Sequence, residues 1–327
     1  MPDQLIAVGV SACLLGEKVR YDGGDKYDRQ LVENLGRYFR LVPVCPEVES
    51  GMTVPREPMR LEGEPAAPRL VTHQSRRDLT DQMLAYCRAK QPWLAQQGLS
   101  GFVFKSKSPS SGPWKVPVHS PGGTQHSASG LFAGAVLRQF PLLPVEEEGR
   151  LQDQELREGF IERVFAYRRW QDFCRQDGSL GGLVSFHARH KYQLQAHHPV
   201  QYRELGRLVA TGSSLAPTEL LDRYGFGFMR CLGYQATVKK NTDVLLHLLG
   251  YFKKQLGGEE KAELLEMIDD YRRTLVPLMV PLVLIRHYVR RLGEPYLREQ
   301  TYLAPLTVER NPACRTHLAP GGESAGN

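Results

Sequence analysis

Apolar positions in the first half of the chain fall in short unbroken runs. Leu5-Ile6-Ala7-Val8-Gly9-Val10, Leu41-Val42-Pro43-Val44, Phe102-Val103-Phe104 and Pro141-Leu142-Leu143-Pro144-Val145 each read as a strand covered on both faces. Between them the spacing turns helical, over 31–39, over 77–97 with Leu79, Met83, Tyr86, Cys87 and Leu94 on one side, and over the small residues of 127–138. This alternation predicts an α/β domain with a mostly parallel sheet. The segment carrying Pro55, Pro58, Pro65 and Pro68 is too proline-rich for regular structure and predicts a long loop, a common place for function. From residue 151 onward strands vanish. Helical patterns over 156–173, 183–197, 202–210, 216–232, 236–255 and 259–291 predict an all-α helix bundle. The expected domains are thus 1–148, 149–295 and an irregular tail, 296–327.

Composition adds little to this picture until charge is considered. The 327 residues are 41% hydrophobic and 24% charged, ordinary values for a soluble protein. A formal net charge of +6 and a pI near 9.0 favour a polyanionic partner. The longest greasy run, 274–285, is broken by Pro277 and Pro281 and falls short of the roughly 20 residues of a membrane helix. Residues 1–4 carry no basic start of a secretory signal, so a cytoplasmic protein with no membrane partner is expected. In that compartment the six cysteines read as thiols or metal ligands.

Three of the apolar runs end in chemistry. The first leads into Ser11-Ala12-Cys13, the second into Cys45-Pro46-Glu47, and the third into Lys105-Ser106-Lys107-Ser108-Pro109-Ser110-Ser111-Gly112. As neighbouring parallel strands they would gather Cys13, Cys45, Glu47, Ser108 and Ser111 at one sheet edge, where open α/β sheets bind ligands. Cysteines from distant loops hold an iron-sulfur cluster only if there are at least three. Two are present, and Ser111 occupies the place that would complete the trio. Asp22, in an Asp-Gly-Gly turn, and Arg56, in the proline-rich loop, are candidates to contact a substrate.

The helical half interleaves rings with positive charge: Arg168, Arg169 and Trp170; Phe186 to Tyr192; Tyr234 with Lys239 and Lys240; Tyr288 with Arg290 and Arg291. Such interleaving suits RNA, whose phosphates take the cations and whose unpaired bases stack on rings. It equally suits solvated helix faces whose rings point inward. His187 and His190 share a helical face but lack an evident third ligand for a metal.

The motifs Ser11-Ala12-Cys13-Leu14-Leu15-Gly16, Val19-Arg20-Tyr21-Asp22-Gly23-Gly24, Val44-Cys45-Pro46-Glu47, Pro55-Arg56 and Lys105 to Gly112 together resemble those of the thiouracil desulfidase (TudS) family, over roughly 1–145. Residues 160–295, with Phe186 to Tyr192 and Leu205 to Ala210, resemble the YbgA-like helical domain. The two joined in one chain look like tRNA 4-thiouridine desulfidases. The resemblance implies a 4Fe-4S cluster on three cysteines, with one iron left open to bind the thiocarbonyl sulfur. Carried over, the metal positions are Cys13, Cys45 and Ser111, where a cysteine is implied. A serine hydroxyl is a poor iron ligand, so Ser111 is expected to be an introduced cysteine-to-serine change, the alternative being a natural variant whose cluster is labile or absent.

The implied catalytic residues are Glu47 as general base and Ser108 as its positioning partner. Asp22, Arg56 and Lys105 would contact substrate, and Arg189, His190, Lys191, Lys239 and Lys240 would grip tRNA. The implied reaction is non-redox conversion of 4-thiouridine in tRNA to uridine, with release of sulfide. Desulfidation of free thiouracil or thionucleosides is the alternative within chemistry. A non-catalytic RNA-binding protein with a decayed cluster site is the alternative outside it.

Overall fold

The computed structural model describes residues 5–303. They form two compact units that divide within one helix, between Arg168 and Arg169.

The first unit contains β1 (Ile6–Ser11), α1 (Arg29–Leu35), β2 (Phe39–Val44), α2 (Pro46–Glu49), β3 (Met59–Glu62), β4 (Arg69–Thr72), α3 (Thr80–Gln96), β5 (Gly101–Phe104), β6 (Val116–Ser120), β7 (Gly123–Ala128), α4 (Leu131–Gln139), β8 (Val145–Glu147) and the start of α5 (Gln154–Gln176). Its main sheet has the order β2-β1-β5-β8, and every pairing is parallel. The four strands include the three whose ends carry the candidate chemistry. Alternation of side chains explains why these strands read as unbroken apolar runs. Ala7, Val42, Phe102 and Phe104 pack with α3 and α4, while Val8, Val10, Phe39 and Val103 pack with α1 and the first turns of α5. Gly9 has no alternative here, because a Cβ would come within 2.4 Å of the Phe102 ring.

A second sheet, β4-β3-β6-β7, corrects the expectation of long irregular loops. Met59–Glu62 and Arg69–Thr72 form an antiparallel pair between the prolines, and their Leu61 and Leu70 join Val116 and Val118 of β6 in the core. Four apolar anchors therefore outweighed the local proline signal. Gly123–Ala128 pairs with β6, so α4 begins at Leu131 and not near residue 127. Likewise Gly36 ends α1 early and Phe39 starts β2.

The second unit is helical: the remainder of α5, then α6 (Leu180–Arg189), α7 (Lys191–His197), α8 (Pro199–Ala210), α9 (Pro217–Leu232), α10 (Val238–Leu249), α11 (Gly258–Arg272), α12 (Met279–Leu292) and α13 (Pro295–Arg298). Two expected long helices are broken. The 183–197 pattern bends at His190, whose ring stacks on Phe186 at 4.1 Å with Nδ1 2.7 Å from the Phe186 carbonyl oxygen. The 259–291 pattern stops at Arg272, where Thr274 takes a left-handed φ of 60° and Pro277 follows. The expected tail from residue 296 is helical as far as it is described, with Leu297 buried; residues 304–327, including Cys314, lie outside the described residues. No helix among the described residues is long and apolar enough to cross a membrane.

Candidate active site at the sheet edge

Strand register assembles the site. Ser11 pairs with Val44, so Cys13 and Cys45 follow side by side at the carboxyl ends of β1 and β2. Val10 pairs with Val103, which puts Lys105 one residue past the level of Ser11, and the Lys105 amide donates to Ser11 Oγ at 2.9 Å. The chain leaves β1 towards β2 on one side and later towards β5 on the other, so this edge is the switch point where such sheets bind ligands.

Each loop is held for an identifiable reason. Cys45 precedes Pro46 at the start of α2, and its amide donates to Glu49 Oε1 at 2.8 Å. Cys13 lies in a tight turn whose carbonyl accepts the Lys26 amide at 2.9 Å. The 108–112 loop caps α4: the carbonyl of Ser110 accepts the amides of Phe132 and Ala133, at 2.9 and 3.1 Å, satisfying helix donors that would otherwise be orphaned. Within the loop Ser108 Oγ accepts the amides of Ser110 and Ser111, at 3.4 and 3.1 Å.

Glu47 is the focus. Ser110 Oγ donates to its Oε1 at 2.6 Å, while Arg56 Nη2 forms an ion pair with Oε2 and also donates to the Val19 carbonyl at 2.9 Å. Ser110 Oγ lies 3.0 Å from Ser108 Oγ and 3.4 Å from Ser111 Oγ. A row of hydroxyls thus runs from position 111 to the carboxylate. Burial pushes the Cys13 thiol up to about 11, with neighbouring Cys45 raising it further and Arg20 and Lys105 opposing. Burial likewise raises Cys45, against the stabilising amide of Val48. The Nε of Arg56 is buried without a hydrogen-bond partner, and the Nε of Arg20 has only its ion pair with Asp22, at 3.5 Å.

The structure therefore joins Glu47, Ser108 and Ser111 in one hydrogen-bonded row and places Cys13 and Cys45 within each other's field. The other candidates each have partners within the protein. Arg56, 7% exposed in its side chain, is committed to Glu47 and to the carbonyls of Val19 and Thr53. Lys105 Nζ is bound by Glu148 and Ser106. Asp22 accepts the Gly24 amide at 3.1 Å and pairs with Arg20 at 3.5 Å, so it shapes its own turn. Ser110 and Arg20 were missed, although both adjoin residues singled out in the same motifs.

A 4Fe-4S cluster is held by cysteine thiolates. This edge offers two thiols and the Ser111 hydroxyl, and Cys87 is buried in α3 within the core. Among the described residues no group of three or more His, Cys, Asp or Glu is placed to hold a metal ion. The donor set does not fit a cluster carried on three protein thiolates.

In the helical unit, the rings read as stacking platforms are mostly core. Trp170, Phe186, Tyr192 and Tyr288 are buried, as is His190, which burial keeps neutral by driving its pKa well below the ordinary value. Lys240 Nζ donates to the carbonyls of His197 and Gln235, at 2.6 and 3.0 Å. Arg189 and Lys239 are exposed and Lys191 half-exposed, with its ammonium 5.0 Å from the Tyr192 ring centroid.

An α/β unit with thiols, a carboxylate and hydroxyls at its switch point, joined to a helical unit, is the class of protein defined so far. Residues 8–148 match the family described as 2-thiouracil desulfurase, and residues 191–306 match the protein family of unknown function DUF1722. The protein YbgA of Escherichia coli (strain K12) is 31% identical over 144 residues, covering 43% of this chain and 83% of that protein. A solved [4Fe-4S]-dependent thiouracil desulfidase, TudS, is 29% identical, covering 45% of this chain and 93% of that one, with a TM-score of 0.38. The chain belongs to the YbgA-like (DUF1722) family and carries a 2-thiouracil desulfurase domain ahead of that helical domain.

Proposed function

We propose that the chain replaces sulfur by oxygen at a thiolated pyrimidine, with 4-thiouridine in tRNA as the substrate. The observation that carries the reading is Glu47, clamped between Ser110 and Arg56 beside Cys45 at the switch point of a 2-thiouracil desulfurase domain. The exchange is a hydrolysis. A water oxygen bonds to the ring carbon, the carbon–sulfur bond breaks, both water protons end on sulfur, and hydrogen sulfide leaves with no change of oxidation state.

Glu47 is the base that takes a proton from water and returns it to sulfur. Each of its oxygens has one partner named above and keeps a lone-pair direction for water. Arg20 and Lys105 lie in the field of Cys13, where they offset negative charge on a departing sulfur. The net charge of +6 supports a nucleic-acid substrate. Ser111 favours a second reading, a protein that binds thiolated RNA without turning it over.

The test is anaerobic incubation with thiolated tRNA, free 4-thiouridine and 2-thiouracil, scoring sulfide and loss of the thiocarbonyl absorbance. The chain is assayed as it stands and as Ser111→Cys, each after reconstitution with iron and sulfide. Sulfide from thiolated tRNA supports the proposal. Turnover of the free compounds alone removes tRNA as the substrate. Binding of thiolated tRNA with no sulfide from any substrate, in either form, establishes the second reading.

A further inference from the structure

Helices α8 and α9 of the second unit enclose an open groove of about 500 Å³ that the chemistry above does not use. Its floor is apolar, built on Leu205, and one wall carries Phe226, a phenylalanine left 54% exposed. The polar lining is unusual in kind. Glu204 and Asp222 contribute carboxylates, and Gln201, 9% exposed, has a side-chain oxygen with no hydrogen-bond partner. Arg223 and Arg230 also line the groove; Arg223 is paired with Glu219 at 2.5 Å, while neither Arg230 nor Glu204 makes an ion pair among the described residues.

These features constrain an occupant. An exposed ring over an apolar floor accepts a flat group by stacking. Two carboxylates and an unsatisfied amide oxygen need N–H donors, and they repel phosphate. Arg230 is the group suited to a flanking phosphate. We infer that this groove takes one unpaired, amino-bearing nucleobase of an RNA strand, stacked on Phe226 with its amino edge towards Glu204 and Asp222. Uracil, which has no amino group, is disfavoured. The inference rests on the proposed RNA substrate and identifies where the helical unit reads it.

The experiment uses the full chain and fluorescence anisotropy with labelled oligo(C), oligo(A) and oligo(U), followed by unmodified tRNA. Phe226→Ala changes an exposed side chain, and thermal melts confirm that the fold is kept. Phe226→Trp preserves the stacking surface. The expected results are weaker binding of oligo(U) than of oligo(C) or oligo(A), a loss of about 5- to 100-fold for oligo(C) or oligo(A) in Phe226→Ala, and retention in Phe226→Trp. Glu204→Gln narrows the gap between oligo(C) and oligo(U).

Equal affinity for all three oligonucleotides, no binding by the parent chain, or Phe226→Ala binding like the parent overturns the inference. Sulfide release distinguishes this failure from failure of the desulfidase reading. Turnover of thiolated tRNA with an unchanged KM in Phe226→Ala removes the groove and keeps the reaction. Base-selective binding through Phe226 with no sulfide released removes the reaction and keeps the groove.

Discussion

Acid should loosen the helical unit through His187. Its Nδ1 lies 3.1 Å from the Tyr224 hydroxyl of α9, and its ring stacks flat on Tyr202 of α8, with centroids 5.2 Å apart and planes within 2°. Burial lowers its pKa to about 4, from an ordinary 6.5. Above the ordinary value folded and unfolded chains are both neutral here, and the packing is intact. Between there and the folded value only the unfolded chain takes the proton, so stability falls as pH falls. At about 1.4 kcal/mol per tenfold change in proton affinity, the full loss is about 3 kcal/mol. His190, depressed for the same reason and wholly buried, adds a loss of the same sign.

Urea titration at a series of pH values from neutral to mildly acidic measures this, with Trp93→Phe and Trp114→Phe leaving buried Trp170 as the reporter of the helical unit. The parent midpoint should drop steeply below the ordinary histidine range, and His187→Gln should flatten that drop by about one proton per molecule. Parallel curves for the two proteins would refute the assignment.

At the sheet edge, Ser111→Cys should raise bound iron and acid-labile sulfide from near none to about four each per chain after reconstitution, as read by metal analysis and the visible spectrum. In whichever form turns over, Glu47→Gln should lower kcat by about 10²- to 10⁴-fold. Ser110→Ala, which deletes a hydrogen bond to that carboxylate, should cost about 10- to 100-fold, with Ser110→Thr restoring part of it. Gly9→Ala should destabilise the first unit by about 1–3 kcal/mol through its clash with Phe102, measured as a lower urea midpoint with an unchanged slope.

Much of the first unit was legible because strands buried on both faces leave a plain trace, and Phe102-Val103-Phe104 is the clearest. The register of β1 with β2 then follows from apolar continuity, which is why Cys13, Cys45 and Glu47 could be paired in advance. The second sheet was hidden by its prolines, since Leu61 and Leu70 are single anchors in polar surroundings. The partners of Glu47 were hidden differently. An arginine at position 56 suits a substrate as well as a carboxylate, and only the fold shows it buried against one. In the helical unit, mixed rings and cations could not reveal which rings face outward; Trp170 and Tyr192 are core, while Phe226 drew no notice because its helix pattern was otherwise ordinary.

Hanging the reactive groups on the last residues of adjacent strands has a practical consequence for handling the protein. Cys13 is only 9% exposed, and slipping β1 by a single residue would exchange its two faces. Chemical labelling of Cys13 therefore reports misassembly or opening of the sheet before any turnover measurement is attempted, and a preparation whose Cys13 reacts as fast as exposed Cys174 is one whose centre has not been built.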